Sequence, residues 1–259
     1  MASALISGAI GAGTPASELF VVERGAAQRE HLEKTYLLRC LTAQEVAHAA
    51  FDVVVWAVKP QHMKAAIDEL SGSLSALHIS IAAGLPSSVL RAWLNSDRVI
   101  RTMPNSAATI GAGITGIYAR ADISPADRAR AEQLFSPTGK IIWVDSDAKI
   151  DAITAVSGSG PAYVFHFLEG LQAAAQSRGF AEAEARELAL QTARGAVLQA
   201  LASDEAFSVL RKRVTSEKGT TAAALEVLDR EGTQRSLSNA VDAAFVRAQE
   251  IATEWEGQQ

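Results

Sequence analysis

Val53-Val54-Val55-Trp56-Ala57-Val58-Lys59-Pro60 is an uncharged, β-branched run that stops at a lysine and at a proline able to open a helix. A run this short and this apolar on both faces predicts a strand buried in a parallel sheet. Leu19 to Val22, Arg39 to Leu41, His78 to Ile81, Val99 to Thr102 and Ile141 to Val144 read the same way. Helical patterns of roughly 10 to 20 residues separate them, the spacing of βαβ units. The fold class expected from this is an α/β N-terminal Rossmann-like domain on an open, mostly parallel sheet. Helix starts are legible too: Thr42 with Glu45 forms a capping box, and Ser124 caps a helix whose first turn holds Pro125 and Asp127.

After about Lys149 the strand pattern ends and alanine-rich helical periodicity takes over. Leu237, Val241, Ala244, Ala248 and Ile251 fall on one apolar stripe, and Gly179 and Gly232 stand where helices should stop. The expected division is therefore 1–148 for the sheet half and 149–259 for an all-α C-terminal half. Met1 to Ile6 reads as the body of a helix, with Gly11 and Gly13 as its C-terminal turn, so the opening strand and glycine fingerprint of a doubly wound domain are missing. That strand is normally central, and its loss leaves unpaired backbone on both neighbours. A start codon assigned too late is the expected reason, and in-frame upstream codons for a strand and Gly-x-Gly would support it.

The chain has 259 residues, 48% of them hydrophobic and 20% charged, with a net charge of -5, which excludes disorder throughout and gives no basic footprint for nucleic acid. The uncharged stretch Ala152 to Leu168 carries Ser, Gly, Pro and His166 and predicts core, not a membrane span. MASALISGAIGAG lacks the basic start of a secretory signal, and a single cysteine, Cys40, suits a reducing compartment, so a cytoplasmic protein is expected. His31, His48, His62, His78 and His166 make no close-spaced pair, so no metal is expected. Ser157-Gly158-Ser159-Gly160 approaches a hydrolase elbow in composition but lacks the preceding strand.

Three junctions expose backbone amides. Ala57 to Pro60 lies beyond a strand's carboxyl end, where open α/β sheets bind ligands, although Pro60 also serves simply to start a helix and Lys59 to meet solvent. Ser157-Gly158-Ser159-Gly160-Pro161-Ala162-Tyr163 suits either an anion nest or the close approach of two helices. Val214-Thr215-Ser216-Glu217-Lys218-Gly219-Thr220-Thr221 runs into a helix near Thr221, where free amides and hydroxyls suit a small carboxylate as well as ordinary capping.

Together with Ala82-Ala83-Gly84, Arg101-Thr102-Met103-Pro104-Asn105 and Asn239-Ala240-Val241-Asp242-Ala243-Ala244, these segments make the whole chain resemble the pyrroline-5-carboxylate reductases of proline biosynthesis. The resemblance implies hydride transfer from NAD(P)H, with NADPH preferred, to the C=N carbon of 1-pyrroline-5-carboxylate. It implies that 1–148 binds the cofactor and that 149–259 binds substrate and forms a homodimer, which can assemble into a ring of dimers. Ser216, Gly219 and Thr220 would hold the substrate carboxylate, and Thr221 would offer its hydroxyl to the ring nitrogen as the catalytic residue. Ala57, Val58, Lys59, Pro60, Ala82, Ala83 and Asn105 would line the cofactor, with Arg24 available to a 2′-phosphate beside Glu23.

The chain departs from that family's pattern at the absent fingerprint, which predicts poor cofactor binding by the chain as written. It departs again at Asn105-Ser106-Ala107, where a proline is usual, and at Glu217-Lys218, where Pro-Gly is usual and residue 218 loses freedom at positive φ. The rival readings are another NAD(P)-dependent imine or 3-hydroxyacid reductase and a non-catalytic dimeric remnant.

Overall fold

A computed structural model describes residues 1–46, 49–70 and 75–257. His48 lies outside the described residues. The chain opens with α1 (Ala2–Gly11), then β1 (Phe20–Val21), α2 (Ala26–Tyr36), β2 (Arg39–Cys40) and α3 (Ala43–Val46). β3 (Val53–Trp56), α4 (Pro60–Leu70), β4 (Leu77–Ser80), α5 (Ser87–Leu94) and β5 (Val99–Met103) follow in strict alternation. Next come β6 (Gly113–Ala119), α6 (Pro125–Phe135), β7 (Gly139–Val144) and α7 (Asp147–Ile153), then a π-helical turn at Thr154–Gly158. The rest is helical: α8 (Gly160–Gln176), α9 (Glu182–Leu201), α10 (Phe207–Arg213), α11 (Thr220–Arg230) and α12 (Thr233–Glu256).

β1 and β2 form a parallel pair, and a separate five-stranded sheet runs β3-β4-β5-β6-β7. Among the described residues no strand pairs with both β1 and β3 to join the two sheets. All neighbours in the larger sheet are parallel except β5 and β6. β6 is absent from the strands expected above, because Gly113 and Gly116 interrupt the apolar run that would have marked it. β3 stops at Trp56, two residues short of the expected Val58, since the Ala57 amide turns back to the Val55 carbonyl at 3.1 Å.

Strand alternation sorts the core onto two faces. Leu77, Ile79 and Ile100 meet Leu5 of α1 and Ala131 and Phe135 of α6 on one side. Trp56 and Val99 meet Met63 and Ile67 of α4 and Val89 and Leu90 of α5 on the other. Both expected helix starts are present: Thr42 and Glu45 bond reciprocally, and the Ser124 hydroxyl accepts from the Asp127 amide at 3.1 Å.

The chain divides into two compact units, residues 1–159 with 243–259 and residues 160–242. The first unit reaches past the expected boundary at 148 for two reasons. α7 is anchored to β5 by charge, and the end of α12 packs on the sheet half, where Trp255 meets Trp93 edge-on and Ile251 abuts Gly84. In the second unit α8 packs against α9, yet only Ala185 and Ala189 are buried. Phe165, Phe167, Leu201 and Phe207 stay exposed, so these apolar stripes are not spent on a core within the chain. No helix of the described residues is long and apolar enough to cross a membrane.

Candidate functional site

β3, β4 and β5 are parallel neighbours, so their carboxyl ends deliver three loops to one edge of the sheet. Past β3, Ala57 and Lys59 are exposed and Val58 and Pro60 half-buried, with the Lys59 carbonyl accepting from the His62 amide at 2.9 Å as α4 begins. Past β4, buried Ala82 donates its amide to the Ser80 hydroxyl at 3.2 Å, and Ala83 is half-buried. Gly84 takes φ +67, and a Cβ there would sit 2.5 Å from Ile251 Cγ2, so only glycine allows the last helix this close. Past β5, the Asn105 side chain donates to the Ser157 carbonyl at 3.2 Å and accepts from the Ile114 amide at 3.3 Å. Ala57, Val58, Lys59, Pro60, Ala82, Ala83 and Asn105 thus follow the carboxyl ends of three adjacent strands at one edge of the sheet.

Arg24 does not join them. It follows β1 and forms an exposed ion pair with Glu69, which lies about 14 Å of helix axis beyond Pro60 along α4. The neighbouring Glu23 carboxylate accepts the Gly25 amide at 2.7 Å.

Beneath the edge lies a charge cluster that the sequence reading did not single out. Arg101, fully buried on β5, donates to Asp147 Oδ1 at 2.9 Å and Asp151 Oδ1 at 2.6 Å. Burial pushes the Asp151 carboxyl above its ordinary range, with Arg101 opposing and Asp147 reinforcing the shift. A lone arginine inside the apolar run Val99-Ile100-Arg101-Thr102 was the available signal. The adjacent Ser157-Gly158 pair lies in the π-helical turn, where the Ser159 amide reaches back to the Thr154 carbonyl at 2.9 Å. A Cβ on Gly158 would stand 2.6 Å from Met103 Cε, so this glycine serves close packing on the end of β5.

In the other unit, the Gly219 amide donates to the Ser216 carbonyl at 3.1 Å, closing a turn, and Gly219 is the N-cap of α11. Lys218 occupies φ +60, the conformation for which glycine would be better suited. A Cβ on Gly219 would collide with the Ser216 hydroxyl oxygen. Ser216 and Thr220 are exposed and Thr221 is half-buried in the first turn of an eleven-residue helix. Amides in that turn have no partner within the helix, and the helix dipole adds partial positive charge. The four expected substrate residues, Ser216, Gly219, Thr220 and Thr221, are therefore brought together around one helix start, suited to a small anion. Among the described residues no group of three or more His, Cys, Asp or Glu could hold a metal ion.

A family model described as NADP oxidoreductase coenzyme F420-dependent matches residues 1–84, and one for pyrroline-5-carboxylate reductase dimerisation matches residues 147–251. The chain is 41% identical over 255 residues to the pyrroline-5-carboxylate reductase of Pseudomonas aeruginosa, covering 97% of this chain and 93% of that protein. It superposes on a Coxiella burnetii pyrroline-5-carboxylate reductase with a TM-score of 0.86 at 33% identity, covering 97% of this chain and 94% of the other. A Plasmodium falciparum pyrroline carboxylate reductase solved with NADP bound gives a TM-score of 0.85 at 27% identity, covering 96% and 94%.

Proposed function

Because this chain belongs to the pyrroline-5-carboxylate reductase family, it is an oxidoreductase that reduces 1-pyrroline-5-carboxylate to L-proline, the last step of proline biosynthesis, and we propose which of its residues do so. The start of α11 supports the substrate assignment, because it sets the Ser216 and Thr221 hydroxyls beside a helix N-terminus whose first amides have no partner within the helix. Amides around Gly219 and Thr220, with the Ser216 hydroxyl, hold the substrate carboxylate. Thr221 directs its hydroxyl to the ring nitrogen and supports the protonated imine, whose carbon is then the better hydride acceptor. A bound nicotinamide supplies the hydride, so the protein's task is alignment and needs neither a nucleophile nor a histidine base. Crystals soaked with L-proline test this: density is expected at the turn of Ser216 to Thr221, and a bound proline elsewhere overturns it.

Ala57, Val58, Lys59, Pro60, Ala82, Ala83 and Asn105 form the cofactor edge, with small side chains admitting a flat ring against main chain. Among nicotinamides NADPH is the preferred donor, with Arg24 exchanging Glu69 for the 2′-phosphate, a pairing that guanidinium geometry favours. Glu23 beside it, bonded to its own loop, suits a ribose hydroxyl and keeps NADH in competition. Turnover with each nicotinamide decides: equal or better rates with NADH overturn the preference.

Residues 1–148 act as the NAD(P)-binding domain and 149–259 as the substrate-binding and dimerisation domain. The exposed Phe165, Phe167, Leu201 and Phe207 supply apolar area for a homodimer, and dimers close further into a ring. Neither nucleic acid nor membrane enters this reading. The cytoplasm, where a reduced nicotinamide pool and the free Cys40 are both at home, is the proposed compartment.

A further inference from the structure

The loop 81–86 joins β4 to α5, and it is fixed at both ends. Ala82 is held by the Ser80 hydroxyl, as described. At the other end, the Ser87 amide donates to Asp147 Oδ1 at 3.2 Å and the Ser87 hydroxyl donates to Asp147 Oδ2. Asp147 belongs to a distant part of the chain, opening α7, and its Oδ1 also takes the Arg101 guanidinium at 2.9 Å. Arg101 grips the same helix again one turn later through Asp151.

A buried arginine is a poor device for holding a strand in place. Apolar replacements of buried ion pairs are often neutral or stabilising, and here the Arg101 Nε has no partner among the described residues. The arrangement does have one geometric product. α7 is locked to β5, its first residue holds the far end of the loop 81–86, and the turn that follows it presents the Ser157 carbonyl to Asn105. Two segments of the cofactor edge, the Ala82-Ala83 loop and Asn105, are thereby referred to a single guanidinium.

We propose that Ser87, Asp147 and Arg101 are positioning residues that set the Ala82-Ala83 loop against Asn105, so that the nicotinamide meets a preformed platform. The proposal rests on the assignment of those residues to the cofactor edge. Loss of preorganisation appears as weakened binding, because the ligand must then order the loop itself.

The test uses the full-length protein. Ser87→Ala removes one hydroxyl and leaves the Arg101 cluster paired, so the fold survives; thermal melting verifies this. The expected result is at least a roughly fivefold weaker NADPH dissociation constant, read from the fluorescence of the reduced cofactor, with an unchanged KM for 1-pyrroline-5-carboxylate. Faster hydrogen exchange in residues 81–87 of the cofactor-free protein should accompany it, and Ser87→Thr, which keeps the hydroxyl, should restore both. Ala83→Leu, which crowds the loop directly, serves as the second arm and should also weaken NADPH binding. If Ala83→Leu weakens binding while Ser87→Ala leaves it within about twofold, the positioning role is overturned and the cofactor edge stands. If Ala83→Leu leaves binding intact, the edge assignment falls, and the positioning proposal falls with it.

Discussion

Arg101 and Asp151 meet at 2.6 Å inside the sheet unit, with the guanidinium wholly enclosed and the carboxylate only 8% exposed. Such a pair is weak evidence for stability while intact, but removing one member leaves a buried charge without compensation. Arg101→Met should therefore lower unfolding stability by about 3–5 kcal/mol, measured by chemical denaturation. A loss below about 1 kcal/mol would mean that Asp147 and Asp151 take up protons or water at little cost.

Thr221 is the only residue assigned to the imine nitrogen. Thr221→Val keeps the shape and removes the hydroxyl, so turnover should fall at least about tenfold, equivalent to about 1.4 kcal/mol of lost transition-state interaction. NADPH affinity should hardly change. A variant with normal steady-state kinetics removes Thr221 from the mechanism.

Lys218 pays a steric cost at φ +60 that glycine does not. Lys218→Gly should raise stability by up to about 1 kcal/mol, since relief of the left-handed strain of about 1–2 kcal/mol is offset in part by the flexibility of glycine when unfolded. Gly219→Ala should act on binding, because its methyl meets the Ser216 hydroxyl and forces that side chain to turn away from the helix start. Its signature is a raised KM for the substrate with an unaltered KM for the cofactor.

Asp127 accepts from Arg98 at 2.9 and 3.1 Å, and this bond holds its carboxyl below the ordinary 3.8. The unfolded chain then binds the proton more readily than the folded one, so the contribution is complete above that ordinary value. It drains away as pH falls through the lower, folded value. Asp127→Asn should flatten the acid limb of a stability-versus-pH curve and lower the melting temperature at neutral pH. An unaltered acid limb contradicts the assignment.

Leu201 is 78% exposed and Phe207 80% exposed in the single chain. If they lie at the homodimer interface, the paired substitution Leu201→Asp and Phe207→Asp should shift sedimentation towards monomer at micromolar concentration. Unchanged sedimentation would move the interface to other exposed residues such as Phe165 and Phe167.

Much of this was legible in advance wherever a local rule and a tertiary one agreed. β3, β4 and β5 are short, β-branched-rich runs bounded by helix starters, and the caps at Thr42 and Ser124 follow from short-range hydrogen bonding alone. β6 escaped notice because its glycines carry no strand propensity; neighbours on both sides impose the extended form. The left-handed demand at residue 218 was legible through the resemblance alone, which puts Pro-Gly where Glu217-Lys218 stand, and Lys218 does take φ +60. Arg101 was harder: a charge inside an apolar strand signals something unusual, but its partners Asp147 and Asp151 lie some 50 residues away, beyond any periodicity. The reach of the first compact unit to residues 243–259 was not legible for a similar reason, since helical patterning does not reveal that α12 finishes against Trp93 and Gly84.

The contact between Gly84 and Ile251 joins positions far apart in the sequence. Residues 1–159 leave the ribosome long before Ala248, Ile251 and Trp255 exist, so a nascent chain at that stage carries an open seam over α5 and an unbraced loop after β4. Final consolidation of this unit must await synthesis of the end of α12, which slows a fold otherwise dominated by neighbouring βα pairs.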